Sequence, residues 1–260
     1  MKMQFFKTIG LGAMICIAPA ISLAVDANNP AWQFDIAPYL WAANMNGRVG
    51  AGPITAHMSE NFSDILSQLN VGGMLWLGAH KGPFGIFLNS MYIVLSDNAM
   101  VGSVKVDQKT RSGLFTAGIS YIILQKQIAR ADGSMNQLQL EPYLGDRYTL
   151  NDVRISLFNL TINNNHNWQD PIVGLRMTYD WPRFVIQLAA DIGGTNAGRQ
   201  YSYNWAALLG YKPENPKMKH VTFDLGYRNL YQVYKTGSGR NYFNWNMREF
   251  GPILGINFSF

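Results

Sequence analysis

The sequence is poor in cysteine and poor in charge. Its one cysteine, Cys16, lies near the start of the chain, so everything beyond it must be stabilised without disulfides. Charged residues make up 14% of the chain, against about a quarter in an ordinary soluble domain. Beyond the first two dozen residues no apolar run reaches the roughly eighteen residues that a membrane helix needs. The basic excess is small and scattered. Without Lys2 and Lys7 the formal charge falls from +5 to +3, which excludes the clustered basic face of a nucleic-acid-binding protein. There is no phosphate-cradling glycine loop, zinc-ligand spacing or dinucleotide fingerprint. No metal site and no cofactor are therefore expected.

The first 24 residues have the character of a secretory signal peptide. Lys2 and Lys7 supply its positive end, Ile9 to Ile17 its short apolar stretch, and Ser22-Leu23-Ala24 the small residues at the cleavage site. Cleavage is expected after Ala24, leaving one domain over 25–260.

Aromatics, by contrast, are abundant at 13% of residues, and they recur with a period of two. Phe250, Pro252, Leu254, Ile256, Phe258 and Phe260 alternate with Gly251, Ile253, Gly255, Asn257 and Ser259. Val221, Phe223, Leu225 and Tyr227 alternate with Thr222, Asp224, Gly226 and Arg228. Comparable alternation covers 173–180, 184–193 and 201–209, with further strands expected over 32–44, 71–80, 84–96, 111–124 and 137–149. One greasy face and one small or polar face is what a strand between lipid and a barrel interior requires. Over 84–96 both faces are apolar and the orientation stays open. The pattern predicts an all-β, antiparallel up-and-down transmembrane β-barrel of about ten strands, with eight or twelve as alternatives.

The links between strands support this reading. Short turns at 81–83, 181–183 and 212–217, with an intermediate one at 125–136, alternate with longer links at 45–70, 97–110, 150–168, 193–200 and 232–248. Tight periplasmic turns and larger external loops are the habit of outer-membrane barrels of Gram-negative bacteria. Phe62, Ile65, Leu66 and Leu69 fall at helical spacing, with Asn61 or Ser63 able to cap the start. They predict a short amphipathic helix over 62–69, docked on the rim or in the barrel mouth.

A terminal Phe260 with Phe258, Ile256 and Leu254 on one face resembles the C-terminal β-signal of bacterial outer-membrane proteins. Phe34-Asp35-Ile36-Ala37-Pro38-Tyr39-Leu40-Trp41, Gly174-Leu175-Arg176, Gly226-Tyr227-Arg228 and Gly251-Pro252-Ile253-Leu254-Gly255 are similar to a widespread family of small, porin-like proteobacterial barrels. The resemblance implies an outer-membrane location, contact with lipid and lipopolysaccharide, and handling by the barrel-assembly machinery. It implies no reaction.

Extending each apolar register places Asp35, Glu141, Asp180, Asp191 and Asp224 inward with Arg147, Arg176 and Arg228. A narrow lumen forces such charges to pair, because an isolated charge away from water is very costly. The expectation is a non-enzymatic barrel, structural or a small-solute channel, with its lumen largely filled. Two alternatives stand beside it. A surface enzyme cutting lipid or peptide would need a base at the outer rim. His57 has Ser59, Glu60 and Asp64 nearby, and His166 sits among asparagines, but neither has a glycine-framed nucleophile. His80 and His220 fall beside periplasmic turns. A soluble, lipocalin-like ligand-binding barrel would invert the faces, apolar inside. The girdle-like Tyr201, Tyr203, Trp205, Tyr211, Tyr227 and Tyr231 favour lipid outside.

Overall fold

The computed structural model describes residues 25–101, 104–157 and 160–260. The expected signal peptide and Cys16 lie outside the described residues. Ten staves close into one antiparallel barrel. The first is β1 (Trp32–Trp41), prolonged after a short break by β2 (Asn44–Ala51). A seven-residue strand, β3 (Ile54–Glu60), pairs back onto β2 and leads into helix α1 (Phe62–Gln68). The second to fourth staves are β4 (Leu69–Lys81), β5 (Phe84–Val101) and β6 (Val104–Tyr121), the last prolonged by β7 (Leu124–Ala129). The fifth is β8 (Met135–Leu157), and the sixth is β9 (Leu160–Asn165) followed by β10 (Trp168–Asp180). Then come β11 (Phe184–Asn196), β12 (Gln200–Tyr211), β13 (Val221–Thr236) and β14 (Phe243–Ser259). Each stave pairs with its sequence neighbour, and β1 with β2 pairs along β14 to close the ring. Closure leaves no stave of the membrane-crossing ring with an open edge, so backbone groups are satisfied without water.

The alternation in the sequence becomes an inside and an outside. On β11 Gln187 is fully buried and its neighbour Leu188 is 43% exposed. Leu225 on β13 and Leu254 on β14 are 55% and 57% exposed. On β5 the ambiguity resolves in favour of Phe84, Ile86 and Leu88 outside, with Phe87, Asn89 and Met91 inside. Aromatic belts flank this apolar band. Tyr203 stacks on Tyr231 at 5.0 Å and Trp205 on Tyr227 at 6.0 Å near one end. Phe184 with Tyr211, and Trp32 with Phe34, mark the other. From Tyr203 to Tyr211 a strand rising about 3.4 Å per residue and tilted about 40° spans roughly 20 Å of membrane normal. The chain crosses a membrane with strands; among the described residues no helix is long and apolar enough to do so. Apolar residues outside and polar residues inside are the reverse of the lipocalin-like arrangement.

Several expected links turn out to be strand. Pairing of β5 with β6 runs to Val101 opposite Val104, and pairing of β8 with β9 to Leu157 opposite Leu160. The links read as 97–110 and 150–168 are therefore staves carried past the bilayer. The link at 45–70 is mostly β2, β3 and α1. The sequence of these extensions is polar, so the alternation that marks the lipid-crossing strands fades there. At the opposite end the turns are tight. Gly82 takes φ 57° between β4 and β5, a left-handed conformation that a side chain disfavours. These tight turns correspond to the periplasmic end of outer-membrane barrels.

Helix α1 forms where expected. Asn61 and Asp64 make a reciprocal capping box. Ile65 is fully buried and joins the inner apolar cluster, with Phe62 and Leu69 packed against it. Leu66, expected on the same face, points to solvent.

Candidate functional site

The lumen is where the chemistry-bearing residues converge. Asp35, Glu141, Arg147, Arg176, Asp191, Asp224 and Arg228 are all buried, and Asp180 is half-buried. They sit inward because each occupies the polar phase of its strand. They also stack in levels, because the tilt of the staves carries residues from distant strands to the same height.

The lowest level lies near the periplasmic mouth. Asp35 on β1 accepts hydrogen bonds from Ser259 Oγ at 2.6 Å and from Asn257 Nδ2 at 3.3 Å, both on β14. Lys212 pairs with Asp180. The Val25 N–H donates to Gln139 Oε1 at 3.1 Å, tying the start of the described chain to the inner wall.

Above it, Glu141 on β8 takes two partners. Arg176 Nη1 donates to one oxygen at 2.9 Å, and His80 Nε2 lies 2.9 Å from the other. The guanidinium of Arg176 is packed among three rings: Trp76 at 5.0 Å, Tyr143 at 5.5 Å and Phe87 at 5.6 Å. Those rings stack or meet edge-on with one another. The cation is thus compensated by one carboxylate and three π-faces.

At mid-height Asp191 on β11 gathers three donors from two strands, β8 and β12. Arg147 Nη2 donates to it at 2.6 Å, Tyr143 Oη at 3.0 Å and Asn204 Nδ2 at 2.7 Å. Asn204 in turn accepts from Arg228 Nε at 2.5 Å. Arg228 lies 5.0 Å over the ring of Trp41, whose indole N–H donates to the Gly251 carbonyl at 2.9 Å. Asp224 lies on the same face of the same strand, four residues before Arg228, and is also buried.

The external mouth is aromatic. Trp168 stacks on Tyr234 at 4.8 Å and approaches Trp245 at 6.1 Å. His166 lies flat on Phe243 at 3.7 Å. Burial pushes the His166 imidazole below its ordinary pKa, favouring the neutral ring.

Sequence reasoning missed four kinds of contributor. His80 reads as a turn residue but is buried in the lumen. Asp170 and Glu249 are buried inward on extensions of β10 and β14 that the alternation at 173 and 250 does not reach. The tryptophans 41, 76, 168 and 245 are inside rather than in the lipid belts. The two-residue period, read to the end of the strand expected over 71–80 and carried one or two steps further along β10 and β14, would have found the first three. Among the described residues no group of three or more His, Cys, Asp or Glu could hold a metal ion. His57 is exposed on β3, and His220 stacks on Phe260 at the periplasmic rim. Leu254, Ile256 and Phe260 face outward on β14, with Phe258 half-buried beside them.

No family model matches the sequence, and no curated protein matches it. Solved structures do. The chain is similar to the outer membrane protease OmpT from Escherichia coli, with a TM-score of 0.57 at 10% identity over 93% of this chain and 99% of that one. Neisserial surface protein A gives a TM-score of 0.32 at 13% identity, covering 88% of this chain and 97% of that one. Ail of Yersinia pestis gives 0.36 at 11%, covering 88% and 98%. The OmpT match establishes the fold of an outer-membrane β-barrel and nothing about activity, since one fold hosts many functions.

Proposed function

We propose that the chain is a non-enzymatic outer-membrane barrel whose lumen is closed by its own side chains, acting as a structural element or, where the levels part, as a small-solute channel. One observation carries this reading: the Arg176–Glu141 pair, the Arg147–Asp191 pair and the Trp168–Trp245 cluster lie at successive heights in one lumen. Arg176 and Arg147 are each compensated in place by a carboxylate, so neither calls for a bound anion. Outer-membrane lipid and lipopolysaccharide are the partners of the outer surface, and the barrel-assembly machinery is the partner of the β14 terminus.

Planar-bilayer conductance of refolded protein tests this. The wild type is expected to seal, and Arg147→Ala combined with Trp168→Ala and Trp245→Ala to conduct. A steady large conductance in the wild type would overturn the closed lumen. Turnover of phospholipid, lipid A or peptide by the wild type would overturn the non-enzymatic reading.

A further inference from the structure

A cleft of about 610 Å³ opens on the outside of the barrel at its periplasmic rim. Its lining changes character along its length. Arg130 and Asp132, in the turn joining β7 to β8, and Trp181 and Arg183, in the turn joining β10 to β11, form the polar end. Phe184 and Leu209 form the apolar end and belong to the lipid-facing band, at 43% and 46% exposure. An object that fills the cleft must therefore be charged at the membrane surface and greasy within it.

The polar end carries both signs. Arg130 lies 3.3 Å from Asp132, and Arg183 pairs with Glu214. All four side chains are well exposed, and exposed pairs of this kind are worth little, so a phosphate can take over the guanidinium forks at small cost. Arginine recognises phosphate bidentately and with charge assistance. Asp132 accepts hydrogen bonds from the Ser134 hydroxyl at 2.6 Å and the Ser134 N–H at 3.0 Å, which hold its carboxyl below the usual range and fix its direction. Trp181 meets Tyr179 edge-on at 4.5 Å beside the cleft, at the depth where indole rings settle in a bilayer.

We infer that this cleft binds one phospholipid of the periplasmic leaflet whose headgroup carries a phosphate and a primary ammonium. The phosphate sits against Arg130 and Arg183, the ammonium donates to Asp132, and an acyl chain runs along Phe184 and Leu209. A free phosphate leaves the apolar half empty. A purely anionic headgroup brings no ammonium to the Asp132 carboxylate and competes with it for Arg130. A quaternary ammonium offers Asp132 no hydrogen-bond donor.

The test uses the refolded full barrel in phosphatidylcholine vesicles doped with brominated lipids. Quenching of Trp181 is read as the difference between wild type and Trp181→Phe. Brominated phosphatidylethanolamine should quench at a mole fraction several-fold lower than brominated phosphatidylcholine or phosphatidylglycerol. The double substitution Arg130→Ala, Arg183→Ala should remove that preference, and Asp132→Asn should shift it toward phosphatidylglycerol. Heat-modifiable gel migration verifies that each variant is folded. Equal quenching by the three lipids, a preference that survives loss of both arginines, or displacement of the lipid by millimolar inorganic phosphate would overturn the assignment.

Discussion

Arg147 and Asp191 meet at 2.6 Å across the interior, although 44 residues separate them and β10 runs between their strands. Both side chains are almost completely withdrawn from solvent. Such a pair costs a great deal to desolvate and returns that cost only while both members are present. Asp191→Ala should therefore destabilise the barrel by about 3–5 kcal/mol, because Arg147 is left as a buried uncompensated charge. Replacing both, Arg147→Met with Asp191→Leu, should recover most of that loss. Urea unfolding in detergent micelles, followed by tryptophan emission, measures the cycle; strictly additive single effects would mean the two residues are not coupled.

Gly174 sits directly across from Tyr143 on the neighbouring strand, and the tyrosine ring occupies the space a Cβ would need. That placement aims the Tyr143 hydroxyl at Asp191 and presents its face to Arg176. Gly174→Ala should push the ring aside and cost about 1–3 kcal/mol as an overpacking change. Gly174→Ala combined with Tyr143→Leu should cost less than Gly174→Ala alone, measured by the same unfolding experiment.

Phe260 and Phe34 exchange two backbone hydrogen bonds, at 2.9 and 3.0 Å, beyond the last paired residues of β14 and β1. They seal the seam where the barrel closes. Deleting Phe260 should lower the yield of heat-modifiable, membrane-integrated protein in cells, while Phe260→Tyr should not. Wild-type yield from the deletion would remove the terminal aromatic from the assembly signal.

The neutral His166 ring stacked on Phe243 makes the external mouth sensitive to acid. The folded ring binds a proton less readily than the unfolded one, whose pKa is about 6.5. Stability then falls as pH drops below about 6.5, down to the lower pKa of the folded ring. Hydrogen exchange around residues 165–168, corrected for intrinsic rate, should speed up between pH 7.5 and pH 5.5. His166→Phe should remove that dependence.

The alternation of Phe223, Leu225 and Tyr227 with Asp224, Gly226 and Arg228 by itself determines the class of fold. A side chain on a strand faces the side opposite to its neighbours, so a two-residue period is local information. The same locality gave the ten staves, the helix around Ile65 and the inward direction of Asp191 and Arg228. It could not give the heights of the staves relative to one another. Whether Arg147 reaches Asp191 or Glu141 depends on barrel shear, which is set by closure of β1 on β14 and is written in no single strand. His80, three strands away from Glu141 in the ring, becomes its partner only through that geometry. The tryptophans are the same case: no local pattern tells that Trp41, Trp76, Trp168 and Trp245 turn inward, where they fill the lumen.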